Sequence, residues 1–252
     1  MPEPSLRVER SEGVATLWLD RPPLNLLTLG FVDDLARAVG DLEADDGIRA
    51  VIVSGAGTHF SGGIDLREWS ALPPKEAQAA ITRGSDAFWS LEHLTKPTVA
   101  AVVGLCRGAG AELALACDLR IADETAVFSH PEVDVGWMPS HGGTARLSKL
   151  VGRSKALEIL LSGKDVRALD ALRLGLVDHL ASPGAALSEA RKLATAFAGK
   201  SRPAVKAIKR ALTEGDEKPY RNRFLLESQH AVQLLWSEDL KATLSRLREK
   251  KE

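Results

Sequence analysis

The chain contains little cysteine and no arrangement of cysteine and histidine typical of a metal site. Cys106 and Cys117 are the only cysteines among 252 residues, and each lies in an apolar segment without a CxxC motif or zinc-site spacing. A chain of this length can bury a substantial core without a disulfide or a metal. We therefore predict reduced, buried thiols in a cytosolic protein.

The sequence also lacks an excess of either charge and a long apolar run. Lysine and arginine number 33 against 34 acidic residues, so no net charge draws the protein to nucleic acid or to an anionic membrane. No apolar run approaches the roughly 18 residues of a bilayer span. The opening MPEPSLRVER resembles neither a signal peptide nor a transit peptide. We expect a soluble cytoplasmic protein that binds neither nucleic acid nor membrane.

Strand-like and helix-like segments alternate through the first half of the chain. Residues 13–20 alternate like a strand, and 29–45 carry apolar residues at helical spacing. The continuous apolar run 49–57 is typical of a buried strand. A helical stretch at 76–93 then leads to a second β-rich run, 98–110, that also ends in glycines. This order predicts an α/β fold.

Helical patterns dominate the second half. After a predicted helix at 111–118 come two short predicted strands, 119–122 and 126–129, and the chain beyond Ser140 has mainly helical spacing. We predict a core that holds the ligand site and a C-terminal helical region. Their predicted ranges are 1–195 and 196–252.

Two turns rich in glycine follow the two apolar runs, and neither fits a nucleotide-binding motif. In SGAGTHFSGGIDL and GLCRGAGAEL the third glycine of GxGxxG would fall on Phe60 and Leu113, and no GxxxxGK[ST] segment is present. Backbone N–H groups at such turns and at a helix start can stabilise a developing negative oxygen, as in an oxyanion hole. The alternative is that both are ordinary tight turns.

Two glutamates are predicted to lie near these turns. Glu112 is in the first turn of an apolar helix, where it either complements the helix dipole or takes part in chemistry. Glu132 follows Pro131 at the predicted end of a short strand. A helix of about eight residues runs roughly 12 Å, and the next strand can return a comparable distance. The two carboxylates are therefore predicted to meet at one site.

Four segments match, in order, the motifs of one protein family. FSGGIDL is similar to F-[SA]-A-G-A-D-[LI], and KPTVAAVVGLCRGAGAELALACDLRIA to a central strand and helix. HPEVDVGWMPSHGGTARL is similar to x-P-E-x-x-x-G-x-x-P-x-x-G-G-T-x-R-L, and LSGKDVRALDALRLGLVD to L-T-G-x-x-x-x-A-x-x-A-x-x-x-G-L-V. These are motifs of the enoyl-CoA hydratase/isomerase (crotonase) family, which the chain resembles from Val14 to Asp178 and more loosely to its end.

The resemblance implies a crotonase-like spiral of ββα units with a C-terminal helical region used in oligomerisation. Members bind acyl-CoA thioesters and form trimers, which commonly pair as hexamers. Coenzyme A is part of the substrate, so no separate cofactor and no metal is expected. The expected partners are an acyl-CoA and further copies of the chain, in a homotrimer or hexamer.

The resemblance also implies two oxyanion donors and two acid–base residues. The donors are the backbone N–H groups of Ile64 and Ala109, although both residues are larger than those usual in the family. Glu112 is expected to activate water, and Glu132 to hold that water and supply a proton to C2. The implied reaction is syn addition of water to a 2-enoyl-CoA, which gives a 3-hydroxyacyl-CoA.

Other positions match the family's substrate contacts. Arg67 is where a basic residue often meets a CoA phosphate, and Trp137 and Met138 are where acyl tails lie, although large apolar residues are more often core. Trp69 is open to the same two interpretations. The residues predicted to contact substrate or CoA are Leu24, Gly62, Gly63, Asp65, Leu66, Arg67, Gly108, Pro131, Trp137 and Met138.

Two histidines and the basic end of the chain are weaker candidates. His130 is predicted to share a strand face with Glu132, but no nucleophilic serine pattern accompanies it. The favoured interpretation gives neither His130 nor His141 a contact with substrate. The end of the chain, 246–251, resembles a family segment near the CoA, yet a solvated helix face is the simpler interpretation.

The presence of both glutamates favours an enoyl-CoA hydratase. Many isomerases of the family keep only the counterpart of Glu132, so a Δ3,Δ2-enoyl-CoA isomerase, or a hydrolase or decarboxylase with the same oxyanion hole, is the alternative. The intact glutamates and near-neutral charge disfavour a non-catalytic CoA-binding or RNA-binding relative.

Overall fold

The computed structural model describes residues 5–215 continuously and, beyond them, residues 218, 222, 228, 229, 231–233, 238, 239 and 242. Part of the predicted C-terminal region, including the whole basic end at 246–251, lies outside the described residues. The division of the chain at residue 195 stays a prediction, and one helix, Ala186–Ala198, continues across it.

Between residues 5 and 215 the structure contains nine strands, nine α-helices and one 3₁₀ helix. The strands are β1 (Leu6–Ser11), β2 (Val14–Leu19), β3 (Ala50–Gly55), β4 (Thr98–Val102), β5 (Leu105–Arg107), β6 (Leu119–Asp123), β7 (Val127–Ser129), β8 (Val166–Arg167) and β9 (His179–Ala181). The helices are α1 (Leu29–Ala44), α2 (Leu66–Ser70), α3 (Pro74–Glu92), α4 (Ala109–Leu115), α5 (Gly143–Val151), α6 (Arg153–Ser162), α7 (Ala168–Leu174), α8 (Ala186–Ala198) and α9 (Arg202–Thr213), and the 3₁₀ helix is Pro131–Val135.

Six strands form the larger sheet, in the order β1-β2-β3-β4-β6-β9. Only the β1–β2 pair is antiparallel among these described strands. Alternate residues of β3 contribute to two apolar clusters: Val51 and Val53 pack with α1, and Ala50 and Ile52 pack with α8. Because helices cover both faces, β3 and β4 are continuous apolar runs rather than alternating ones.

The smaller sheet consists of β5, β7 and β8. Gly104, with a φ of +53°, separates β4 from β5, and a Cβ at this position would overlap the carbonyl oxygen of Thr58. The predicted β-rich run 98–110 is therefore two strands with a glycine between them. The end of β5 leads through Gly108 directly into α4, which places the start of α4 at the edge of the smaller sheet.

The structure confirms the strands and helices predicted for the first half of the chain and corrects two details beyond them. His130 and Glu132 do not share a strand face: β7 ends at Ser129, and Glu132 lies in the 3₁₀ helix. Pro131 has no N–H for a strand ladder, which explains the early end of β7. The short strands β8 and β9 fall within the stretch predicted to be mainly helical. Within the described parts of the chain, every helix is too short or too polar to cross a bilayer.

Candidate active site

The two glycine-rich turns lie side by side. The Ser61 N–H donates to the Leu105 carbonyl at 3.0 Å, and the Arg107 N–H donates to the Ser61 carbonyl at 2.9 Å. Gly63 has a φ of +97°, and a Cβ there would lie 2.9 Å from the Arg107 carbonyl oxygen. Glycine is therefore needed at position 63 for the close approach of the two turns.

Each turn contributes a backbone N–H that lacks an acceptor among the described residues. Leu27 pairs with the residues on either side of Ile64. The Leu27 N–H donates to the Gly63 carbonyl at 2.8 Å, and the Asp65 N–H donates to the Leu27 carbonyl at 3.0 Å. Because backbone groups alternate along an extended chain, the Ile64 N–H faces away from Leu27. Ala109 is the first residue of α4, so its N–H has no acceptor within the helix. Ile64 and Ala109 line the same cavity.

This cavity has a volume of about 180 Å³ and brings together most of the predicted site residues. Both predicted acid–base residues and both predicted oxyanion donors line it. Its predicted members are Gly62, Gly63, Ile64, Leu66, Gly108, Ala109, Glu112, Pro131, Glu132, Trp137 and Met138.

Glu112 is buried and strongly hydrogen-bonded. Its Oε1 accepts the N–H groups of His141 and Gly143, both at 2.8 Å, and its Oε2 lies 3.5 Å from His141 Nδ1. Burial of the carboxylate acts to raise the pKa of Glu112. This effect is outweighed by the His141 ring, through its hydrogen bond and charge, and by the two backbone N–H groups, so the pKa is lowered. The site thus holds Glu112 in its ionised form.

The carboxylate of Glu132 has the opposite environment. Both of its oxygens are buried, and neither has a hydrogen-bond partner among the described residues. The ring of His130 lies close to this carboxylate, with its Nδ1 3.8 Å from Oε1, and this Nδ1 also has no such partner. Gly108 lies close by, since a Cβ there would be 3.4 Å from Glu132 Oε1. A buried polar group without a partner is rare and indicates a role for a ligand or water.

Three residues predicted to contact CoA do not line the cavity. The Leu24 carbonyl accepts the Gly62 N–H at 2.7 Å, which fixes the first turn. Asp65 precedes α2 and lies 3.4 Å from Arg21, while Arg67 is exposed on α2. Contacts of Leu24, Asp65 and Arg67 with CoA stay predictions.

The large apolar candidates divide into two kinds. Trp137 and Met138 line the cavity with 45% and 61% of their surface exposed, so the interpretation of them as core residues is wrong. The interpretation of Trp69 as core is confirmed: it is buried, and its Nε1 donates to the Leu27 carbonyl at 3.2 Å.

Comparison with known proteins identifies the family. A family model described as Enoyl-CoA hydratase/isomerase matches residues 9–252. The chain belongs to this family. It is 33% identical, over 97% of its length and 94% of the relative's, to the Short-chain-enoyl-CoA hydratase of Clostridium acetobutylicum. It is 37% identical, over 82% of its length and 81% of the relative's, to the Crotonyl-CoA hydratase of Syntrophomonas wolfei.

Solved structures of similar proteins share the whole fold. An enoyl-CoA hydratase from Bacillus anthracis has a TM-score of 0.93 at 28% identity, with 98% of this chain and 96% of that chain covered. DspI from Pseudomonas aeruginosa has a TM-score of 0.94 at 32% identity, with 98% and 94% covered. The crotonase-like fold predicted from the sequence is confirmed.

The sequence interpretation missed one wall of the cavity. Asp134, Val135 and Ser140 line it without having been predicted, and His141 lies on it beside Glu112 although the favoured interpretation placed that histidine away from substrate. A usable signal is the position of His141 just before the two glycines at the start of α5. Free N–H groups at a helix start favour a nearby anion.

Glu112→Gln tests the ionisation of the buried carboxylate. The folded-state pKa of Glu112 lies below its ordinary value of 4.5. Ionised Glu112 therefore stabilises the fold above pH 4.5, and this contribution is lost as the pH falls through the folded-state pKa. We expect the difference in unfolding free energy between parent and E112Q to be largest near neutral pH and to shrink below about pH 4. Urea unfolding across pH measures this difference.

Glu124→Gln is the matched control, because Glu124 is exposed in the turn between β6 and β7. Its effect on the unfolding free energy should be small at every pH. A difference between parent and E112Q that is constant, or that grows on acidification, would contradict the ionised state of Glu112.

Proposed function

We propose that the chain is an enoyl-CoA hydratase that adds water to a 2-enoyl-CoA and forms a 3-hydroxyacyl-CoA. The observation that carries this proposal is the arrangement around one cavity: two free backbone N–H groups and two carboxylates in opposite environments. The relatives named above as hydratases support the same reaction.

The N–H groups of Ile64 and Ala109 are proposed to bind the thioester oxygen. Attack of water at C3 moves an electron pair toward the thioester carbonyl and forms an enolate. Two preorganised backbone donors stabilise the negative charge on that oxygen more strongly than the neutral carbonyl of the substrate. Ala109 adds the positive end of α4, a short helix whose dipole acts in the same direction.

The two glutamates are proposed to divide the proton transfers. Glu112, held as an anion by the hydrogen bonds to Oε1, accepts a proton from the attacking water as its oxygen bonds to C3. Glu132, which begins the cycle as the acid, orients the same water and gives its proton to C2 as the enolate collapses. Solvent exchange then returns the proton from Glu112 to Glu132. Addition of oxygen and hydrogen from one side of the substrate is syn.

The cavity wall favours an uncharged, apolar acyl group. Leu66, Val135, Trp137 and Met138 form its apolar part. The acidic residues of its described lining are Glu112, Glu132 and Asp134. No lysine or arginine of the described lining could pair with a second carboxylate on the substrate.

Several parts of the proposal await their own measurements. An isomerase that moves a double bond from C3 to C2 is the alternative, and assay of a 3-enoyl-CoA beside a 2-enoyl-CoA distinguishes the two. A trimer or hexamer, the absence of a separate cofactor and a cytoplasmic location stay predictions. Light scattering of the purified chain measures the first of these.

Glu112→Gln and Glu132→Gln should each reduce hydration by about 10²-fold or more, because each removes one of the two proton-transfer groups. The measurement is loss of the conjugated thioester absorbance of crotonyl-CoA, with Glu124→Gln as the control that retains the parental rate. Undiminished turnover in either active-site variant removes that residue from the mechanism. No absorbance loss with the parent at high concentration would overturn the hydratase proposal itself.

Ala109→Pro tests a backbone donor directly. Proline is tolerated at the first position of a helix but has no N–H, and loss of one oxyanion donor costs about 10²–10³-fold in kcat. We expect that loss in A109P and close to parental kcat in Ala109→Gly, which keeps the N–H. The comparison uses variants whose circular dichroism matches the parent. Equal kcat in A109P and A109G would exclude the Ala109 N–H as a donor.

A pair of substrates tests the apolar acyl site. Glutaconyl-CoA carries a carboxylate in place of the terminal methyl group of 2-pentenoyl-CoA, so the two differ mainly in charge. We expect kcat/KM for glutaconyl-CoA to be lower by about 10²-fold or more, because its carboxylate would lose water without gaining a cationic partner. Comparable values for the two substrates would show that the acyl chain does not lie against this wall.

A further inference from the structure

The imidazole of His141 is built into the surroundings of Glu112. The ring is buried, and its Nδ1 lies 3.5 Å from Glu112 Oε2 and 3.2 Å from the hydroxyl of Ser140. The same residue also donates its backbone N–H to Glu112 Oε1. One residue therefore reaches both oxygens of the proposed base.

The fold holds this ring in a fixed orientation. The Trp69 ring meets it edge-on with centroids 5.6 Å apart, and the Phe88 ring lies 5.1 Å away at a tilt of 35°. Gly84 leaves the space that the ring needs, because a Cβ there would overlap it. Arg146 Nη1 donates to the His141 carbonyl at 2.6 Å, which anchors the backbone below the ring.

The charged groups around the ring come from three elements. Glu112 on α4 is the only carboxylate within ion-pair distance of the ring in the described part of the chain. Arg146 on α5 faces the carbonyl rather than the imidazole, and its charge is paired with Glu92 of α3 at 2.7 Å. The residues contributed by α2 and the middle of α3, Trp69, Gly84 and Phe88, are uncharged.

We propose that His141 is a positioning residue that keeps Glu112 ready as the anionic base, an inference that rests on the proposed hydratase function. Oε1 already accepts two backbone N–H groups, so Oε2 is the oxygen left to receive the proton of water. A donor at Nδ1 orients Oε2 and disfavours its protonation before the water attacks. The lowered pKa of Glu112, to which the His141 ring contributes, agrees with this role.

His130 is a weaker candidate for the same role toward Glu132. Its Nδ1 lies 3.8 Å from Glu132 Oε1, which is beyond hydrogen-bond distance, and no backbone N–H of His130 reaches that carboxylate among the described contacts. The geometry therefore distinguishes the two histidines.

The test is the pH dependence of kcat/KM for crotonyl-CoA in His141→Phe, which keeps an aromatic ring but has no nitrogen. Removal of the donor should move the acid limb of the profile to higher pH by about one pH unit. His141→Asn, whose side-chain amide can donate from a similar place, should lie between H141F and the parent. His93→Asn, at a half-buried histidine stacked on Trp89, is the control and should leave the profile unchanged.

A second readout does not depend on turnover. Infrared spectroscopy detects protonated Glu112 by its carboxyl stretching band, which is identified by its absence in Glu112→Gln. As the pH is lowered, this band should appear at higher pH in H141F than in the parent. If H141F does not fold, His141→Ala replaces it in both measurements.

The outcomes separate the two proposals. A parent without hydratase activity overturns the proposed function, and the infrared titration then still tests the pairing of His141 with Glu112. If the parent is active but H141F has an unchanged acid limb and an unchanged infrared titration, the role of His141 is overturned. The same conclusion follows if the pH profile of H141N is no closer to that of the parent than the profile of H141F is.

Discussion

The structure around the cavity depends on one buried negative charge, the carboxylate of Glu112. A carboxylate removed from water is costly unless donors replace the water. The N–H groups of His141 and Gly143 supply this replacement and thereby join the first turn of α4 to the start of α5. The same contact restricts the neighbouring sequence, because a Cβ on Gly143 would lie 2.9 Å from Glu112 Cγ.

The two glutamates differ because different kinds of segment present them. Glu112 lies on the regular helix α4. Its Oε1 faces the backbone at the start of α5 and therefore meets the N–H groups of His141 and Gly143. Glu132 lies in a single 3₁₀ segment, Pro131–Val135, which is followed by Gly136 with a φ of +70°. This short turn brings its carboxylate to the cavity without bringing donors to it. In our proposed mechanism these two chemically identical side chains thus take different roles, Glu112 as the base and Glu132 as the acid.

Local sequence patterns were sufficient for the parts of the site that depend on the order of elements. Apolar runs that end in glycines predicted the adjacent turns, and the first-turn position of Glu112 predicted a carboxylate beside them. The 3₁₀ helix at Pro131–Val135 was not predicted. The strand before it is only three residues long, which is too short for its sequence pattern to show where it ends. The place of His141 was not predicted either, since the ring fits only because Gly84, distant in sequence on α3, lacks a side chain.

The proposed oxyanion donors at Ile64 and Ala109 belong to the main chain, and this has a consequence for how the protein can diverge. Any residue except proline supplies the same N–H, so replacements at these two positions alter the walls of the cavity while leaving the donors in place. Selectivity for new acyl groups can therefore evolve at the very residues that support the chemistry, without a trade-off between the two.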